Sequence, residues 1–380
     1  MIEAHAQVKR RRARWAAVLA GGTFALASGQ ALAQFTVHEI PTLGGDRSTA
    51  LGVNNAGQVV GSARNAQGLF QPILWENGVV TNLNPFPGTQ GNANAINNNG
   101  EIVGFINSTP GTTQRGFYWN AGSLTLLEPA SGNPNHFTEA HGINDHGQIS
   151  GSAQVAGPNG FQAFIWDRDN TAPVISVPQV SGTGAGFSAG YYINNNGQMT
   201  GYYQSNLGFE QPWRGFVYQT SNNLATDIGT LGDDNSYVEA WDINDKGHVV
   251  GYSDTNLFFS TRAFILTEDG MQNLGTLGGD FSSALGINND DWVVGTSSND
   301  LGQNRAFLWR DGVMEDLNDF IDPDSGWVLE RAQGISDTGW IVGLGQLNGE
   351  FRGFAIFIPA PGAGLLFGLA GFAAARRRRA

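Results

Sequence analysis

The chain has 380 residues, no cysteine, 54 glycines, 11% aromatic residues and only 14% charged ones. The missing cysteine excludes disulfides, thiolate metal sites, a cysteine nucleophile and N-terminal lipoprotein attachment; aromatic residues among so many glycines speak for short strands and tight turns rather than disorder. The formal charge is −13, but nine of the 20 basic residues and one of the 33 acidic ones lie in the two ends, and what remains carries a net −21 that argues against nucleic-acid binding.

The first element is an address. Lys9 to Arg14 form a basic segment, Trp15 to Ala27 an apolar run, and Ala31-Leu32-Ala33 a small-x-small cleavage site. Residues 1–33 therefore read as a signal peptide, with a mature start near Gln34. The apolar run is short for a permanent anchor.

Repeats follow. A glycine closing each "VVG"-like stretch falls at Gly61, Gly104, Gly151, Gly201, Gly251, Gly295 and Gly343, at intervals of 43 to 50 residues. Before each lies an Asn-rich turn, such as Asn54-Asn55-Ala56-Gly57 or Asn194 to Gly197. Asn bonds its own backbone and glycine takes positive φ freely, so each unit predicts a hairpin. Asp291 stands where six copies have glycine, which predicts a looser sixth turn. A third strand follows in each copy (Arg115 to Trp119, Arg214 to Tyr218, Arg305 to Trp309), and then a fourth, clearest in Met271 to Gly279. Four short strands per repeat of roughly 47 residues is the size of a propeller blade.

The seventh copy runs from Phe357 straight towards the C-terminal segment and lacks its fourth strand. The missing piece stands at the other end, in Phe35 to Gly45, where Thr42-Leu43-Gly44-Gly45 matches Thr276-Leu277-Gly278-Gly279. The expectation is an all-β chain: a seven-bladed β-propeller over residues 34–358, closed by its N-terminal strand, which removes exposed sheet edges. On residues such as Ser282, Ala284, Ile287, Asn288, Val294, Gly295, Ala306, Phe307 and Trp309, the repeats resemble the HAF repeat of extracellular bacterial proteins. Arg or Gln stands where that repeat has histidine. The resemblance implies an exported repeat protein and no defined chemistry.

No catalytic residue is expected. Gly186-Phe187-Ser188-Ala189-Gly190 matches a nucleophile elbow formally, but a β-repeat has no strand-to-helix turn, and Ser188 is a repeat position like Ser48 and Ser282. His136, His141 and His146, five apart, alternate faces on a strand, so no metal site is expected. No cofactor is expected either: Asp242 to Gly247 faintly resembles an oxygen-rich Ca²⁺ loop, which leaves calcium open, but it offers few carboxylates. Arg115, Arg214, Arg262, Arg305 and Arg352 share one position and read as struts between blades, or else as a ring for an anionic sugar. Trp75, Trp119, Trp166 and Trp309 share a packing position. Trp213, Trp241, Trp292, Trp327 and Trp340 do not, and are the candidate ligand contacts, because off-pattern aromatics can stack on sugar rings.

The last element spans residues 359–380. Pro359-Ala360-Pro361-Gly362 precedes an apolar stretch to Ala375 and then Arg376 to Arg379. Fourteen apolar residues make about 21 Å of helix, marginal as a permanent span. The tail resembles the PEP-CTERM sorting signal in a Pro-Ala-Pro variant, which implies processing by an exosortase-type enzyme at Pro359, Ala360, Pro361 and Gly362 after transient membrane insertion. The expectation is an exported, non-enzymatic surface or extracellular-matrix propeller. The alternatives are a lectin-like propeller that binds extracellular polysaccharide, and a glycosidase using paired carboxylates.

Overall fold

The computed structural model describes residues 34–107, 113–133, 135–155, 160–176, 187–204, 212–233, 236–255 and 260–359. The expected signal peptide, residues 1–33, and the segment beyond Pro359 lie outside them. Among the described residues the chain is all-β, and no helix is long and apolar enough to cross a membrane.

Strand β1 (Val37–Ile40) is followed by the meander β2 (Gly44–Val53), β3 (Val59–Asn65), β4 (Phe70–Glu76) and β5 (Val79–Asn82). The next meanders are β6 (Gly91–Ile96), β7 (Ile102–Asn107), β8 (Gln114–Asn120) and β9 (Ser123–Leu126), then β10 (Thr138–Ile143), β11 (Gln148–Gln154), β12 (Phe161–Asp167) and β13 (Asn170–Ser176). They continue as β14 (Ser188–Ile193), β15 (Gln198–Tyr203), β16 (Arg214–Gln219) and β17 (Leu224–Asp227), then β18 (Val238–Ile243), β19 (Val249–Asp254), β20 (Thr261–Thr267) and β21 (Gly270–Asn273). Then come β22 (Gly278–Ile287), β23 (Val293–Asn299), β24 (Asn304–Arg310) and β25 (Val313–Asp316), and finally β26 (Trp327–Ile335), β27 (Trp340–Leu347) and β28 (Glu350–Phe357). Each meander is an antiparallel sheet in chain order; one parallel pair, Thr261 with Phe281, joins β20 to β22. β1 pairs antiparallel with β28, Val37 opposite Ile356 and Ile40 opposite Gly353.

The repeated glycine is dictated by crowding. In every copy it sits between a carbonyl of the first strand and the side chain opposite it on the third. A Cβ on Gly251 would lie 1.9 Å from the Glu239 carbonyl oxygen and 3.1 Å from the Phe264 ring. The side chain opposite is Ile73 in the first copy and Phe117, Phe164, Phe216, Phe264, Phe307 and Phe354 in the others. All are buried, and each contributes about 1.5–3 kcal/mol of apolar burial. Core clusters form between successive sheets, and one unites the two ends of the chain: Ile40, Ala50, Val59 and Trp75 pack with Val342 and Ala355.

Three expectations need correction. The Leu-Gly-Gly motif does not end a fourth strand; Gly278 and Gly44 begin β22 and β2, because a glycine at φ +112 or +95 turns the chain into the next sheet. The sixth turn is no looser: Asp291 takes φ +63, and its N–H bonds the Asn288 carbonyl at 3.1 Å as the glycines do elsewhere. Asp tolerates the left-handed region through its short polar side chain. The repeat-position arginines mostly brace their own sheet: Arg214 meets Asp227 at 3.1 and 3.0 Å, and Arg352 meets Glu39 at 3.0 Å. Arg262 and Arg352 also reach the carbonyls of Asp280 and Asp46, at the start of the neighbouring sheet.

Candidate functional site

The first strands of the sheets surround an axial cavity, and the Asn-rich turns line one end of it. In each turn the first Asn does two jobs. Asn194 Oδ1 accepts from the N–H groups of Asn196 and Gln198 at 3.0 and 2.9 Å, and its Nδ2 donates to the Asn244 carbonyl of the next turn at 2.8 Å. The second residue of each turn completes a cycle. The N–H of Asn55 donates to Asn98 Oδ1, and so on through Asp145, Asn195, Asp245, Asn289 and Asp337, whose N–H returns to Asn55 Oδ1 at 2.9 Å. Each carboxylate in the cycle is flanked by amides, and Asn98, Asn195 and Asn289 donate to Asp145, Asp245 and Asp337 at 3.1 to 3.2 Å. Those acids are thus spent on the turns; among the described residues no group of three His, Cys, Asp or Glu could hold a metal ion.

Deeper along the axis a cavity of about 150 Å³ is lined by apolar residues with Tyr192, Asp242 and Gln333. Asp242 stands where four copies have glycine. Its oxygens accept from the N–H groups of Ile243 and Ile287 at 2.8 and 3.0 Å, and burial pushes its carboxyl up to about 7.

One position further from the turns, the first strands carry aromatic rings in the third, fourth and fifth copies. Three residues before the turn Asn, the copies read Leu51, Asn94, His141, Tyr191, Trp241, Leu285 and Gln333. Tyr191 stacks on Trp241 with ring centres 4.3 Å apart and planes at 8°, and Tyr202 on Trp213 at 4.5 Å and 8°. His141 meets the Tyr191 ring edge-on at 5.5 Å, and its Nε2 lies 3.9 Å from Glu139 Oε2. The Tyr191 hydroxyl donates to Glu239 Oε2 at 3.4 Å, and Tyr252 bonds the same carboxyl. Burial raises Glu239 above the usual carboxylate range, and it raises Tyr202 to about 12, with Glu239 and then Glu139 adding to the shift. Among the described residues two buried polar atoms here have no hydrogen-bond partner: the hydroxyl of Ser152, opposite Glu139 in the register and 5% exposed, and the indole Nε1 of Trp241.

The structure brings together two of the five tryptophans singled out by sequence. Trp213 and Trp241 pack in one cluster with Phe187, Tyr191 and Tyr202. Trp292 and Trp327 lie buried in the core of the last two sheets, with Arg310 over Trp292 at 5.0 Å and Phe354 against Trp327. Trp340 packs on Phe357 and on His38 of β1. Of the processing motif Pro359 is described, two residues past β28; Ala360, Pro361 and Gly362 lie outside the described residues. The Ser188 hydroxyl accepts from the Ala163 N–H at 3.0 Å. Sequence reading missed Glu139, Glu239, Tyr191 and Tyr202. The signal was there in part: aligning the copies on their turn residue puts Tyr191 in a column that holds aromatic rings in copies three to five, and Glu139 and Glu239 in a column that is acidic in copies three and five alone.

No family model matches the chain, and no curated protein matches it in sequence. Solved structures do. The β-propeller domain of the Trilobed protease from Pyrococcus furiosus matches over 82% of this chain and 95% of its own, at 10% identity and a TM-score of 0.55. An oligogalacturonate lyase in complex with manganese matches over 86% and 98%, at 10% identity and 0.54. A puromycin hydrolase mutant matches over 79% of this chain but only 50% of its own, at 11% identity and 0.51. The likeness shows the fold. It also corrects one expectation: structures that share this fold are mostly enzymes, a protease domain, a hydrolase and a lyase among them, so the fold gives no ground for regarding the chain as non-enzymatic. At these identities no activity carries over, and the fold they share with this chain is a β-propeller.

Proposed function

We propose that the chain is an exported, surface-displayed propeller of seven blades, closed by β1, that binds carbohydrate where copies three to five diverge. The ring is supported by the cycle of turn hydrogen bonds that returns to Asn55, by the pairing of β1 with β28, and by the core the end sheets share. Export rests on the signal-peptide pattern of residues 1–33 and the sorting pattern of residues 359–380, with an exosortase-type enzyme as the processing partner. Mass spectrometry of protein from the native host tests this: a mature chain should begin near Gln34 and end near Pro359 to Gly362, and an intact Ala380 would reject processing.

One observation carries the binding reading: two parallel aromatic pairs beside carboxyl groups, built only in the copies that break the repeat. Aromatic faces stack on the C–H faces of sugars, and carboxyls accept from their hydroxyls. A glycan array on the mature protein tests it. Binding should appear and weaken at least about tenfold in Trp213→Ala, about the loss of one good contact. An array blank for every polysaccharide, or Trp213→Ala binding like wild type, would reject it. A second reading, glycosidic-bond cleavage, is favoured by Glu239, whose raised carboxyl suits a proton donor. Release of reducing ends that stops in Glu239→Gln would establish it, and no release from any bound glycan would remove it.

A further inference from the structure

We infer that the ligand of this site carries positive charge on a sugar frame: an amino sugar polymer of the glucosamine kind, not an acidic polysaccharide. The inference rests on the carbohydrate reading above and adds its charge.

The side chains that converge on the site are acidic or electron-rich. Glu139 and Glu239 come from the copies before and after Tyr202, and both act electrostatically on its phenol. Asp254 adds to the field at Tyr252. The bases of the same copies are engaged elsewhere: Arg214 is held by Asp227 at 3.1 and 3.0 Å, and burial lowers the tendency of His141 to take a proton. An ammonium group would find both partners it prefers, a carboxylate and the negative face of an aromatic ring. The burial that raises Glu239 comes from the loss of water, and an adjacent ammonium would restore its charged form.

The unpartnered atoms fit the same ligand. Ser152 faces the same side of its sheet as Glu139, because the two are opposite in the β10–β11 register. Its hydroxyl, in a residue only 5% exposed, and the Trp241 indole N–H are polar atoms waiting for a partner. Sugar hydroxyls next to the amine supply one. The net charge of −21 between the two basic ends would draw a polycation in and hold an anionic polymer off.

The test is calorimetric titration of the mature protein with three hexamers: glucosamine, N-acetylglucosamine and galacturonate. The glucosamine hexamer should bind at least about tenfold tighter than its acetylated form, the worth of one desolvated charge pair. The preference should shrink as salt is raised from 0.05 to about 0.5 M. Glu239→Gln and Glu139→Gln should each cost the glucosamine hexamer more affinity than the acetylated hexamer, and so narrow the preference. Equal affinity for the glucosamine and acetylated hexamers, or a preference for galacturonate, would overturn the charge inference and leave the carbohydrate reading standing. Binding of none of the three, together with a blank glycan array, would overturn both. Salt dependence is read on the wild type, so the inference stays testable if a variant fails to fold.

Discussion

Asn194→Asp isolates what the turn Asn does, because it keeps shape while changing donors into acceptors. Asn194 is 4% exposed and makes four hydrogen bonds. Its Oδ1 accepts two backbone N–H groups at 3.0 and 2.9 Å, and an Asp oxygen keeps both. Its Nδ2 donates to the Asn244 carbonyl and to Gln198 Oε1, each at 2.8 Å, and an ionised Asp turns an oxygen towards those two acceptors instead. Gln198 Oε1 loses its donor, while the Asn244 carbonyl keeps the Gly247 N–H at 3.0 Å but loses its second bond, so the loss at pH 7 should be about 2–4 kcal/mol. The new carboxyl is favoured neutral in the fold, so its folded pKa lies above the unfolded value of about 3.9. The sign follows: the variant should recover as pH falls through the folded pKa, when a protonated oxygen donates one bond again, and should be worst above it. Asn194→Ser, the chemistry found at Ser336, should cost less, about 1–2 kcal/mol, since a hydroxyl still accepts from the turn as Ser336 does from Trp340 at 3.1 Å. Urea unfolding of wild type and variants at pH 7 and pH 4 measures all of this. An Asn194→Asp midpoint equal to wild type at pH 7, or the same deficit at both pH values, would refute the donor argument.

Removing Phe35 to Ile40 should uncover β28 along the Val37–Ile356 register and bring aggregation or a lower urea midpoint; a monomer with an unchanged midpoint would reject closure by β1. Arg214→Ala should cost about 1.5–3 kcal/mol, because it leaves Asp227 without its paired guanidinium. Arg305→Ala should cost under about 1 kcal/mol, because Asp316 is 3.8 Å away; the reverse ranking in unfolding experiments would sink the strut account. Asp242 has a folded pKa raised to about 7, so its contribution to stability is full at low pH and lost as pH rises through 7. Asp242→Asn should therefore flatten the fall in wild-type stability between about pH 4 and 7, and parallel profiles would show that Asp242 does not titrate there.

The scaffold was legible because each scaffold residue is fixed by a contact that recurs in every copy. The glycines at the VVG ends cannot be replaced where a carbonyl lies 1.9 to 2.1 Å from a would-be Cβ. In six copies the turn Asn accepts two N–H groups and donates from its amide at once, which an ionised Asp cannot do and the single hydroxyl of Ser336 does only in part. Such demands print as strict columns at a period of 43 to 50 residues. What was illegible depends on three dimensions. Thr42 to Gly45 looked like the end of one strand because the motif is continuous in sequence, yet the positive φ of Gly44 redirects the chain between two sheets. The arginines looked like struts between blades because a row of like residues suggests a shared neighbour. Their partners differ, an Asp in one copy and a carbonyl in another, and no alignment column records that.

The five off-pattern tryptophans fall into two environments. Being off-pattern put Trp292, Trp327 and Trp340 in the same class as Trp213 and Trp241, although a large ring breaks a pattern equally well by filling a core. What separates the two groups is company. Trp292 sits among apolar residues under Arg310, whereas Trp241 stacks on a tyrosine whose hydroxyl bonds a carboxyl. One connection agrees: from second to third strand, β15 to β16 takes ten residues, against six for β7 to β8, β11 to β12 and β19 to β20 and four for β3 to β4 and β23 to β24. The longest of these connections and the stacked Tyr202–Trp213 pair fall in the same copy. A scaffold under no demand but stability would vary copy by copy without such coincidence, because each sheet packs only against its neighbours. Departure from the repeat, concentrated in adjacent copies and mixing aromatic with acidic residues, is therefore the ground on which the site is proposed there.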